Sequence, residues 1–162
     1  MQVDQFWDHI NIVRAAAGAD LDERIKKLRE RLQDLPAEEL QSFQNHYDAQ
    51  LRQAYRWDLW GAAYIMLGGC SDDSFRYFRD WLISEGVGTF EKALENPDSL
   101  ADVEYIDMPD LETFGYITLE IYEQKAIKEL NRDFSTEGAE PAGERWEEDN
   151  LMTLFPRLSA KY

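Results

Sequence analysis

The sequence predicts an all-α fold, a compact helical bundle-like domain of about seven helices. Three observations predict it. Apolar residues recur every three or four positions along most of the chain, and strand-like alternation is nearly absent. Residues that cap or break helices stand between the periodic segments. Hydrophobic residues make up 44% of the 162, with five Trp, eight Tyr and eight Phe, enough to fill a core.

Phe6, Ile10, Val13 and Ala17 mark a first helix, which Gly18 ends. Asp20 and Glu23 form a capping box for a second, striped by Leu21, Ile25, Leu28 and Leu32. Pro36 suits a first helical position, and Leu40, Phe43, Tyr47 and Leu51 follow it as a third stripe. From Trp57 to Leu67 the chain is apolar nearly all round, which predicts the central, most buried helix. Trp60, Tyr64, Phe78 and Trp81 are expected in the core. After the Gly68-Gly69-Cys70 break, Ser71 is a good N-cap, with Asp72 and Asp73 suited to the first turn of a fifth helix. Phe75, Phe78, Trp81 and Leu82 line it. Phe90 and Leu94 imply a short sixth helix, and Asp98 is placed to cap one further turn through Asp102. Asp107-Met108-Pro109 is read as opening a long seventh helix through Leu111, Phe114, Ile117 and Ile121 towards Leu130. The expected organisation is a helical domain over 1–135 and a mobile linker over 136–143, which holds two Gly and one Pro. A C-terminal segment, 144–162, is expected to dock back, because its apolar residues would otherwise be exposed.

Charge bounds the function. The formal net charge is −16, and it is unevenly spread. Residues 1–94 hold 16 acidic and 11 basic side chains, whereas residues 95–150 hold 17 acidic and four basic. Such a chain repels nucleic-acid phosphates and anionic lipid headgroups, so neither is an expected ligand. The one cysteine, Cys70, allows no internal disulfide, which fits a reducing, cytoplasmic setting. No secretory signal and no membrane-length apolar run is read.

Several segments resemble a bacterial family, the domain of unknown function 4240. They are Phe6-Trp7, the run from Ala54 through Trp57, Trp60 and Gly61 to Tyr64, and the Gly68–Asp73 turn. Phe75–Ile83 and Asn96-Pro97-Asp98-Ser99-Leu100 complete the set. The resemblance covers roughly residues 1–125 and implies a helical fold. It brings no activity and no catalytic residues.

Two kinds of site compete. Cys70 precedes a helix N-terminus, where the macrodipole lowers a thiol pKa, but a nucleophile needs a base and only His9 and His46 exist. Asp72 and Asp73 favour the neutral thiol, and the competing reading is a small residue packed at a tight turn. His9, His46, Cys70, Asp72 and Asp73 lack the spacing of known metal motifs, so neither metal nor cofactor is expected. Arg56, Trp57, Trp60, Cys70 and Asp72 would line a small-ligand or enzyme site in an aromatic block where Arg56, Arg76 and Arg79 are interleaved as handles, against the alternative of a packed aromatic core. The leading expectation is instead a non-enzymatic module that binds a basic protein. In that reading Trp146 is an anchor ringed by Glu144, Glu147, Glu148 and Asp149. An inhibitor or immunity-type protein that shields a nucleic-acid-binding toxin would suit such a surface, and so would an ordinary adaptor.

Overall fold

The computed structural model describes residues 1–134 and 139–162, and the described residues are all-α. Seven helices carry the chain to residue 126: α1 Val3–Ala17, α2 Leu21–Leu32, α3 Ala37–Gln53, α4 Trp57–Leu67, α5 Asp72–Ser84, α6 Val87–Glu95 and α7 Ile117–Ala126. Two short helices follow, α8 Leu151–Leu154 and α9 Pro156–Lys161. None is long and apolar enough to cross a membrane.

The helix starts follow local chemistry. Asp20 accepts a hydrogen bond from the Glu23 amide at 3.0 Å, and the Ser71 hydroxyl accepts from Ser74 N at 3.2 Å. Each satisfies an N–H that the first turn leaves unpaired. Pro36 stands one residue before α3, at its N-cap.

The central helix is α5, not α4 as its composition suggests. Phe75, Phe78, Trp81, Leu82 and Ile83 of α5 are each fully buried, and α5 packs against α1, α3, α4 and α6. On α4 Leu59, Ala62, Ala63 and Met66 are buried against the bundle, while Trp57, Trp60 and Tyr64 are only half-buried at the margin. Its apolar outer side is covered by the C-terminal segment rather than by the bundle. A Cβ on Gly61 would stand 2.7 Å from the Phe155 ring and 3.1 Å from Leu151 and Trp146, so the segment sits where only glycine leaves room. Leu151, Phe155 and Leu158 are buried there.

The seventh helix is shorter than the sequence suggests. Residues 107–111 are not helical; a 3-10 segment, Glu112–Tyr116, precedes α7. That segment is held by α5: Leu111 N donates to the Tyr77 carbonyl at 3.2 Å, and Gly115 lies over Asp80, where a Cβ would meet a carboxylate oxygen at 2.7 Å. α7 ends at Ile127, whose left-handed φ of 53° breaks the ladder. Asp98 also has a different task. Asn96 caps the 3-10 segment Pro97–Asp102, and the Asp98 carboxylate accepts from Arg157 N and Leu158 N, holding the start of α9.

The predicted linker lies partly outside the described residues. Of its remainder, Pro141 is buried, and Ala142 exchanges backbone hydrogen bonds with the turn before α4: Ala142 N to Tyr55 O at 3.0 Å, Trp57 N to Ala142 O at 2.9 Å.

Candidate functional site

One recess is an open cleft of about 630 Å³. It lies between the C-terminal end of α3, the N-terminal half of α5 and residues 132–134 and 139–142. Four guanidinium groups line it, from Arg52, Arg76, Arg79 and Arg132. Arg79 is built in most firmly. Nη1 donates to Leu51 O at 2.8 Å and Nε to Phe75 O at 3.3 Å. Its plane lies 4.7 Å from the Tyr55 ring centre and 4.8 Å from that of Phe75, at cation–π distance. Burial, with the Arg76 charge beside it, pushes its pKa down to about 10.

Carboxylates balance this charge. Arg132 forms a two-pronged pair with Asp48, at 2.7 and 3.0 Å. Arg76 stands 3.5 Å from Asp80, and its Nε is buried with no hydrogen bond among the described residues. Asp80 itself is buried and accepts from the Tyr47 hydroxyl at 2.6 Å. Burial pushes its carboxyl up to about 6, against the opposing pull of Arg76. Asp72 faces Tyr55, whose pKa is raised by burial and then by that carboxylate. The cleft can therefore offer an anion two adjacent guanidinium groups with an aromatic wall, within a rim that also carries Asp73, Asp133 and Glu140.

Of the five residues read as a ligand site, only Asp72 lines this cleft. Trp57 and Trp60 stack at 5.3 Å, and Trp60 stacks on Phe75 at 5.0 Å. Trp60 Nε1 donates to Cys70 O at 2.9 Å, and Arg56 pairs with its neighbour Asp58 at 3.0 Å. These rings form a continuous stack that fills space rather than enclosing it. Burial pushes the Cys70 thiol up to about 12, so it stays protonated at neutral pH. The two histidines stand apart from it. His9 Nδ1 accepts from Arg31 at 2.8 Å, and His46 Nε2 lies 3.0 Å from Met1 O. Among the described residues no three ligating side chains converge as a metal site would require.

The acidic segment is placed as follows. Glu144, Glu147, Glu148 and Asp149 are all exposed. Trp146 is half-buried: Nε1 donates to Trp57 O at 2.6 Å, and its ring packs against Tyr64 at 5.3 Å. Elsewhere residues 95–150 do not share one face, because the 97–102 segment lies against α6 and α9, 112–116 against α5, and α7 against α2 and α3.

In the sequence the cleft's Arg76 and Arg79 stand out only as basic residues interleaved with the aromatic set, and that signal is weak. It is a pair of cations three residues apart on a helix that otherwise buries Phe75, Phe78 and Trp81.

Fold and recesses together define an all-α domain with charged surface recesses. The chain belongs to the DUF4240 family, a protein family of unknown function whose family model matches residues 1–124. No curated protein and no solved structure matches the chain. The segment that covers α4 lies beyond the matched residues.

Proposed function

We propose that the chain is a non-enzymatic binding module that holds a basic protein partner through the surface of residues 144–154. One observation carries this reading. Four exposed carboxylates, Glu144, Glu147, Glu148 and Asp149, run directly into Met152 and Leu154, which are 72% and 52% exposed. Exposed apolar side chains beside a polar rim suit a protein contact. The Trp146 hydrogen bond and the burial of Leu151 and Phe155 hold the platform rigid. Trp146 therefore acts as the staple that positions the surface, and the apolar contact falls to Met152 and Leu154.

The test uses salt. Association with a basic partner is expected to slow steeply as salt rises, because charges of this density act jointly within a Debye length of about 8 Å at 0.15 M. Changing Glu144, Glu147 and Glu148 together to Gln is expected to slow association more than it speeds dissociation. A rate flat in salt and unaltered by the triple substitution would sink the reading.

A second reading, a small-ligand pocket, is favoured by the adjacent guanidinium groups of Arg76 and Arg79 in the cleft. It predicts that millimolar inorganic phosphate raises the melting temperature of the chain by mass action. Phosphate also stabilises proteins generally, so the comparison is with Arg52→Gln, at an exposed cleft residue. Equal gains in both proteins would remove this reading.

A further inference from the structure

A second recess, of about 460 Å³, lies away from the cleft, between the N-terminal half of α1, the C-terminal end of α3 and α6. Its floor is aromatic: Trp7 and Phe90 are buried, with ring centres 5.1 Å apart. Every charged side chain on its lining is a carboxylate, from Asp4, Asp8 and Glu91. One wall is Asn11, fixed by accepting from Val87 N at 3.1 Å. Another is Gln50, which is 8% exposed; its carboxamide makes no hydrogen bond to the described residues, and its polar atoms are not among the fully buried ones, so they open on the recess. An amide held in a mostly buried side chain, with no protein partner and open on a recess, offers its carbonyl and its N–H to a polar group that enters.

We propose that this recess takes a single lysine or arginine side chain from a basic protein partner. The inference rests on the basic-partner reading and adds a specific seat to it. Lysine and arginine carry an apolar stem under a cationic head. The stem matches the Trp7–Phe90 floor. The head meets the Gln50 carbonyl as a hydrogen-bond acceptor, the Trp7 ring as a cation–π surface, and the three carboxylates as counter-charge. A carboxylate or phosphate ligand would face that rim with nothing to offset it. A purely apolar side chain would leave Gln50 unpaired.

The test titrates the full chain with N-acetyl-arginine amide, N-acetyl-lysine amide and the uncharged control N-acetyl-norleucine amide. The readouts are the NMR signals of the Gln50 side-chain amide and the Trp7 indole. The cationic probes are expected to shift both signals and the norleucine probe neither. Asp8→Asn combined with Glu91→Gln is expected to weaken the cationic probes about tenfold while the melting curve stays put, since all three carboxylates are exposed. Gln50→Leu, which removes the acceptor and keeps the bulk, is expected to weaken them as well. An equal response to norleucine, or no response to any probe, would overturn the proposal. So would cationic binding indifferent to these substitutions. The triple substitution at Glu144, Glu147 and Glu148 separates the two ideas: if it leaves partner association unchanged while the Asp8/Glu91 pair still governs the probes, the 144–154 surface fails and the recess stands.

Discussion

Trp81→Ala is expected to lower the stability of the chain by about 3–5 kcal/mol, the usual cost of truncating a buried Trp. Trp81 is fully buried at the middle of α5 and packs against Phe78 at 5.3 Å. Single domains are stable by only about 5–15 kcal/mol, so this loss is a large share of the total. The indole N–H is also buried without a hydrogen bond among the described residues. Trp81→Phe removes that N–H along with the second ring and is expected to cost clearly less than Trp81→Ala. Denaturant melts of the three proteins measure both differences. A loss under about 1 kcal/mol for Trp81→Ala would mean that α5 is not the centre of the fold.

Glu85→Ala is expected to cost about 3–5 kcal/mol, as large as any core truncation, though the residue lies at the end of a helix. Its carboxylate faces Arg24 at 2.7 Å and Arg14 at 3.1 Å. Arg24 is 1% exposed, and its other donors reach Gly18 O and Ser84 Oγ, both at 2.9 Å. The cluster thus ties the turn between α1 and α2 to the end of α5. Removing Glu85 strands a buried guanidinium, whose neighbour Arg14 is then purely repulsive. Replacing Arg24 by Met as well removes the stranded charge, so the double substitution is expected to cost less than Glu85→Ala alone. Urea melts decide it: a double variant as unstable as the sum of the two singles would show that the pair acts through packing and not through charge.

How much was legible in the sequence depended on whether local chemistry or distant contacts set each element. α1, α2, α3, α5 and α6 read directly, since each apolar stripe sits between a cap and a breaker close by in sequence. α4 was placed correctly, but its burial was overestimated. An all-apolar helix is buried by something, and here residues 146–158 supply part of the cover. The start of α7 was misread because Met108-Pro109 looks like a helix opening, while the Leu111–Tyr77 hydrogen bond and the close approach of Gly115 to Asp80 hold the chain in a tighter turn. The arginine cleft was hidden because separate stretches build it, so of the five residues read as a ligand site only Asp72 lines it. Gln50 carried a faint signal: it shares a helical face with Phe43 and Tyr47, where an amide is out of place.

The glycine at position 61 implies an order of events in the life of the chain. Its bare backbone is shaped for Phe155, Leu151 and Trp146, about 90 residues further on. Synthesis runs from the N-terminus at about 5–20 residues per second, and domains begin folding as they emerge. During those seconds the outer side of α4 is wet and apolar, with no cover yet made. Until residues 146–158 leave the ribosome, that side is the place where the nascent protein is most open to a chaperone or to a wrong neighbour.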